Sequence, residues 1–200
     1  MTETKRDTPT ADEALAELLS GNKRFIGNSL TNPRRSPQYR ARLKSGQHPF
    51  AVILTCSDSR VCPEIIFDQG LGDLFVVRVA GNIVDAVVRE SIEYAVAHLK
   101  TPVVMVLGHC SCGAITVAAE SKTEDTGGSA VMSAVMPALE RARGKTGDLV
   151  DNAAGINAEM VAAALETSQP VLAPAVESGA VRIVPALYDL DTGSVELLGR

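Results

Sequence analysis

Two hundred residues are enough to build one α/β domain with a substantial core, and a composition that is 46% apolar and 22% charged is ordinary for a soluble globular chain. The formal charge of −5, with no basic run longer than Arg34-Arg35, argues against a nucleic-acid partner or an anionic membrane surface. Residues 1–12 are polar and charged rather than apolar, so they do not read as a secretory signal, the apolar run 102–107 is too short to cross a bilayer, and a cytoplasmic location with no membrane partner is expected.

Taken in chain order, Thr10 and Glu13 stand at capping-box spacing and open a helix whose Leu15, Leu18 and Leu19 share one face. The pattern predicts that this helix ends near Leu19, before Ser20-Gly21. Residues 28–47 are polar, with Pro33 and Pro37, and read as an irregular arm around a short helix. From Phe50 the texture changes. Ala51-Val52-Ile53-Leu54 is continuously apolar, as expected of a parallel strand buried on both faces. A second strand is predicted over 74–79, interrupted only by Arg78. Asp85 can cap a helix that carries Val88, Ile92, Ala95, Val96 and Leu99 on one side. A third buried strand covers 102–107, a helix 113–120, and a Gly/Ser/acidic loop 123–129. Segments 130–143 and 151–167 are Ala-rich and helical. Strands at 180–187 and 194–198 flank Asp189-Leu190-Asp191-Thr192-Gly193, a hairpin-type turn.

Strands alternating with helices imply an α/β fold: a central, mostly parallel sheet with an antiparallel edge strand, flanked by helices. There is no internal repeat. The expected organisation is an N-terminal helical arm, 1–48, followed by a single α/β domain, 49–200.

The chain has four cysteines, Cys56, Cys62, Cys110 and Cys112, and such clustering points to metal binding or catalysis before disulfides. In open parallel sheets ligands collect at the carboxyl ends of strands. Thr55-Cys56-Ser57-Asp58-Ser59-Arg60 follows the first strand, and Gly108-His109-Cys110-Ser111-Cys112-Gly113 follows the third. Cys56, His109 and Cys112 offer the thiolate and imidazole donors of a three-ligand zinc site with one open position. Buried core cysteines with a satisfied histidine are the bland alternative, and Asp58 and Arg60 beside Cys56 weigh against it. Cys62 and Cys110 are surplus to three ligands, although Cys110 can stand in for Cys112 on spacing alone. His98, among apolar residues on a helix, reads as structural; His48 reads either way.

Cys56-Ser57-Asp58-Ser59-Arg60 together with His109-Cys110-Ser111-Cys112 resembles the paired signature of the β-class carbonic anhydrases, Cys-x-Asp-x-Arg and His-x-x-Cys. The likeness runs from the helix containing Leu18, Gly21, Asn22, Arg24 and Phe25 to the edge strand near Tyr188. The resemblance implies one Zn2+ per chain on Cys56, His109 and Cys112, and a catalytic pair of Asp58 and Arg60. It also implies hydration of carbon dioxide to bicarbonate and a proton by zinc-hydroxide attack. Gln47 resembles the substrate-orienting glutamine of the plant-type branch, and Phe75 and Tyr94 its apolar pocket residues, contributed across a dimer interface. The bicarbonate-inhibited branch instead carries Trp three residues before the first cysteine and Gly immediately before it, where this chain has Ile53 and Thr55. A homodimer, or a tetramer of such dimers, is implied, with the arm 1–48 as a clasp and 49–200 as the zinc catalytic domain.

Two thiolates neutralise the metal's charge, so the site is expected to acidify water less than three imidazoles would and to work better on the alkaline side of neutral. A carbonyl sulfide or carbon disulfide hydrolase on the same scaffold is the nearest rival reading. A structural or redox-sensing zinc domain is the non-enzymatic rival, with Asp58 or Cys110 as a fourth ligand. A dinucleotide-binding fold fails, because no Gly-x-Gly-x-x-Gly follows the first strand.

Overall fold

The computed structural model describes residues 8–121 and 129–199. Its sheet has the order β2-β1-β3-β4-β5, formed by β1 (Ala51–Thr55), β2 (Leu74–Arg78), β3 (Val103–His109), β4 (Arg182–Tyr188) and β5 (Val195–Leu197). β1 pairs in parallel with β2 and β3, and β3 with β4; β5 returns antiparallel on β4. The mostly parallel sheet with one antiparallel edge is therefore as read from sequence.

Period-two alternation along each strand divides the core into two layers. Ile53, Met105, Leu107, Val184 and Ala186 face α1 (Ala11–Ile26), which contributes Ala14, Leu15 and Leu18. Val52, Leu54, Val104, Val106 and Ile183 face the other way. They pack on Ile92 and Ala95 of α4 (Ala86–Leu99), on Ala158, Ala162 and Leu165 of α7 (Leu149–Glu166), and on Leu172 of α8 (Leu172–Glu177). A third cluster joins Ile115 of α5 (Gly113–Glu120) and Leu139 of α6 (Ala130–Ala142) to Ala153 and Ala154 of α7. It also takes in Cys56 and Cys112.

The Thr10 capping box forms as expected, but α1 runs on through Ser20-Gly21 to Ile26. A Cβ on Gly21 would overlap the Phe67 carbonyl oxygen. This glycine marks a close helix-to-loop approach and not a helix end. Short helices α2 (Pro37–Arg42) and α3 (Pro63–Ile66) lie in the arm and directly after the Cys56 loop. Neither α3 nor α8 has enough turns to show a periodicity, so neither is legible in the sequence. α7 starts at Leu149, with Asp148 as its N-cap, slightly ahead of the predicted start. In the terminal hairpin the Asp189 carboxylate accepts hydrogen bonds from the backbone N–H groups of Asp191 and Thr192. Of the loop expected over 123–129, only Ser129 lies within the described residues, where it caps α6.

The arm is anchored by two buried carboxylates. Asp68 accepts hydrogen bonds from Arg24 Nε (2.6 Å), Thr31 N (2.9 Å), Thr31 Oγ1 (2.7 Å) and Asn32 N (2.9 Å). Arg34 Nε lies 2.6 Å from Asp73. Among the described residues no helix is long and apolar enough to cross a membrane.

Candidate active site

The carboxyl ends of the two central strands β1 and β3 carry the reactive residues, where the chain must leave the sheet and turn. Cys56 follows β1, His109 ends β3, and Cys112 precedes α5. All three are buried, and the two sulfurs and a His109 ring nitrogen lie within 4.8 Å of one another. His109 Nδ1 sits 2.9 Å from the Cys110 carbonyl oxygen, an acceptor, so Nδ1 carries the proton and Nε2 presents its lone pair. That Nε2 is buried with no hydrogen-bond partner. A buried, unpartnered imidazole nitrogen flanked by two thiols is costly unless something coordinates it, and the donor set suits zinc.

The sulfurs are prepared for the same role. Hydrogen bonding from Cys112, joined by the backbone N–H groups of Asp58 (3.4 Å) and Gly81 (3.3 Å), lowers the Cys56 thiol to about 4. The same sulfur–sulfur hydrogen bond, with burial, raises Cys112. Cys110 is not in the cluster: burial and the charges of Asp151, Asp189, Asp191 and Asp148 push its thiol up to about 11.

Asp58 lies beside this cluster, its Oδ2 3.9 Å from His109 Nε2. Arg60 forks it, with Nε 3.0 Å from Oδ1 and Nη2 2.7 Å from Oδ2, and the Arg60 backbone N–H donates to Oδ1 at 2.9 Å. The Arg60 side-chain hydrogen bonds hold the Asp58 carboxyl well below the usual carboxylate range.

Sequence reasoning missed two supports. Arg78, the one charge in apolar β2, donates Nε to the Cys56 carbonyl (3.2 Å) and Nη2 to the Asp58 carbonyl (2.7 Å). A cation closing an otherwise apolar strand was the available signal. Asn157, buried on α7, donates Nδ2 to the Gly81 carbonyl (2.9 Å) and so steadies the N–H that faces Cys56. Nothing in the Ala-rich stretch singled it out.

The expected substrate residues lie apart from the cysteines along the chain. Phe75 of β2 and Tyr94 of α4 meet with ring centroids 6.2 Å apart, and Tyr94 is 47% exposed. Gln47 is exposed on the amino-terminal side of β1, whereas Cys56 follows its carboxyl end. His98 is exposed and stacks on Tyr94 with ring centroids 5.2 Å apart, so it belongs to the surface and not to the core. A cavity of about 340 Å³ lined by Glu13, Arg34, His48 and Gln69 includes none of the cysteine cluster.

Residues 51–195, which include every member of that cluster, match the family model described as carbonic anhydrase. A structure of one of two tetrameric β-carbonic anhydrases from Sordaria macrospora superposes with a TM-score of 0.73 at 26% identity, covering 94% of this chain and 98% of that one. The chain belongs to the β-class carbonic anhydrases. The Coccomyxa β-carbonic anhydrase, solved with acetazolamide, matches equally well, with a TM-score of 0.73 at 26% identity over 92% of this chain and 86% of that one. Carbonic anhydrase 2 of Mycobacterium tuberculosis (strain ATCC 25618 / H37Rv) is 41% identical over 184 residues, 90% of this chain and 89% of its own length. The carbonic anhydrase of Mycolicibacterium smegmatis is 40% identical over the same shares. Phe75 and Tyr94 fall inside the span matched to the carbonic anhydrase family, and Gln47 falls before it.

Proposed function

We propose that this β-class carbonic anhydrase catalyses the reversible hydration of carbon dioxide, consuming one water and releasing bicarbonate and one proton. Cys56, His109 and Cys112 would hold one zinc ion per chain. The observation that carries this reading is the buried, unpartnered His109 Nε2 grouped with two cysteine sulfurs. Bound there, zinc supplies Lewis acidity that lowers the pKa of a ligating water.

The remaining chemistry belongs to the chain's own residues. Asp58 Oδ2, beside the cluster, accepts the proton of the attacking oxygen's O–H as a hydrogen bond and turns its lone pair toward the substrate carbon. Arg60 keeps Asp58 ionised and in one rotamer, and Arg78 fixes the backbone from Cys56 to Asp58. Phe75 and Tyr94 supply an apolar wall for a nonpolar substrate, and Gln47 donates an amide N–H to one substrate oxygen. Because Gln47 precedes β1 while Cys56 follows it, and the Phe75–Tyr94 pair sits at the open edge of the sheet, these three serve the site of a second subunit. A homodimer follows, with tetramers built from such dimers and residues 1–48 as the clasp on the catalytic unit 49–200. Ile53 and Thr55, in place of Trp and Gly, favour the plant-type branch.

A structural zinc domain would need a fourth protein ligand. Asp58 is committed to Arg60, and Cys110 stands outside the cluster with a raised thiol. Carbonyl sulfide hydrolysis has no residue in its favour over carbon dioxide hydration.

The test is stopped-flow hydration over roughly pH 6.5 to 9 on protein of known zinc content, with rates expected to rise with pH as two thiolate ligands imply. Cys112→Ala should lose both zinc and activity, and Cys110→Ala should keep both. Fully zinc-loaded protein with no hydration at any pH would reject the assignment.

A further inference from the structure

The cysteine cluster does not explain why the residue between Cys110 and Cys112 is held as it is. Ser111 is a non-glycine residue in the left-handed region, with φ +53°. Such a conformation persists only where the surroundings enforce it. Both of its backbone polar groups are engaged at long sequence range. Its N–H donates to Asp151 Oδ1 at 2.7 Å, and its carbonyl accepts from Arg60 Nη2 at 3.0 Å. The same Nη2 is 2.7 Å from Asp58 Oδ2. An unbroken chain of hydrogen bonds therefore runs from Asp151 through the Ser111 peptide groups to Arg60 and Asp58.

Asp151 is not needed to cap its own helix. Asp148 does that, accepting from Val150 N at 2.8 Å and Asp151 N at 3.0 Å. Nor is the contact incidental to a loose surface, because the same face of α7 grips the site at two further points. A Cβ on Gly108 would lie 2.9 Å from the Ala154 carbonyl oxygen, so helix and strand end meet backbone to backbone. Asn157 holds the Gly81 loop. Residues 151, 154 and 157 are one turn apart on one face.

We propose that Asp151 is a positioning residue for the reaction, holding Ser111 in the left-handed turn so that its carbonyl locks Arg60 onto Asp58. The proposal rests on the carbonic anhydrase reading for its kinetic arm only. In Asp151→Ala the turn loses its external acceptor, and kcat/KM for hydration should fall roughly tenfold at unchanged zinc content, the scale expected when a reacting group is misplaced by a fraction of an ångström. Asp151→Asn retains an oxygen acceptor and should stay within about threefold of wild type.

Two readouts separate positioning from a merely structural role. In the Arg60→Ala background, Asp151→Ala should cost nothing further, since the effect passes through Arg60. In nuclear magnetic resonance spectra of the full chain, the Arg60 Nε–H signal, assigned by its loss in Arg60→Ala, should be protected from exchange in wild type and Asp151→Asn. It should broaden or vanish in Asp151→Ala. Should Asp151→Ala not fold, Asp151→Glu keeps the first-turn charge but moves the acceptor by one methylene, and the same losses are expected. Unchanged kinetics with an unchanged Arg60 signal, an equal loss in the Arg60→Ala background, or an Asp151→Asn as impaired as Asp151→Ala would each overturn the proposal. Wild-type protein without hydration activity would reject the functional reading instead, and the Arg60 signal would still decide on Asp151.

Discussion

Asp58 and Arg60 are two residues apart, the arginine half exposed and the carboxylate mostly buried, and they form a bidentate pair that behaves as one group. Arg60 donates to both carboxylate oxygens, and Arg78 donates to the carbonyls of Cys56 and Asp58. The carboxylate therefore has one remaining direction in which to accept a proton, toward the cluster it faces. Asp58→Asn preserves the shape but puts a donor where an acceptor is required. We expect a fall in kcat of at least about a hundredfold with zinc content unchanged, the range lost when a positioned acid–base group is removed. Metal analysis alongside steady-state hydration separates this from ligand loss, and an Asp58→Asn variant with near wild-type kcat would remove Asp58 from the mechanism. At this scale the sequence was informative where chemistry is local. Cys56, Asp58 and Arg60 fit in five residues and His109 and Cys112 in four, so one strand end delivers each group. Arg78, Asn157 and Asp151 act across 20, 76 and 40 residues respectively, and only the folded topology brings them to the loops they hold.

The elements around the site explain why its loops stay put. β1 and β3 are central strands with every residue buried, so the loops that leave them start from the most rigid part of the molecule. The parallel sheet and its antiparallel edge were legible because buried strands leave continuous apolar runs. The end of α1 was misread because glycine is ambiguous in sequence, marking either a helix stop or a close packing contact. Here the contact decides: Gly21→Ala would gain about 1 kcal/mol of helix propensity but drive a methyl into the Phe67 carbonyl. Overpacking typically costs about 1–3 kcal/mol, and a backbone oxygen cannot turn aside, so the upper end applies and a net loss of about 2 kcal/mol in urea denaturation is expected. The arm that follows α1 depends on Asp68. Burial raises its carboxyl pKa, but the hydrogen bonds from Thr31, Arg24 and Asn32 outweigh it and leave the carboxyl below the ordinary range. A carboxylate depressed on folding contributes stability that is complete above its unfolded pKa of about 4 and is lost as pH falls through the lower folded value. Asp68→Asn should cost about 2 kcal/mol at neutral pH, less than a fully buried pair because the Arg24 side chain is 25% exposed. The difference from wild type should shrink below about pH 4 in pH-dependent denaturation; a gap that widens there would contradict the ion-pair account.

At the scale of the molecule, one edge of the sheet stands out. β5 closes the far side as a short antiparallel strand, but β2 is a parallel edge strand carrying Leu74, Phe75, Val76 and Val77, all of them partly exposed. α4 runs beside it with Val87 71% and Tyr94 47% exposed, and Leu71, just before β2, is 44% exposed. An apolar edge of this kind invites pairing and is normally covered. A second copy of this chain is the partner that the proposed division of the pocket also calls for. Dimerisation and activity should therefore be lost together. Val87→Glu tests this without touching a pocket residue, and at 71% exposure it should leave the monomer's own stability within about 0.5 kcal/mol of wild type. Sedimentation velocity should show a shift toward monomer, and hydration activity per zinc should fall in proportion, recovering as protein concentration is raised and mass action restores the pair. A variant that sediments as a monomer yet hydrates carbon dioxide at the wild-type rate would mean that each chain completes its own pocket, and Gln47, Phe75 and Tyr94 would lose their assigned roles across the interface.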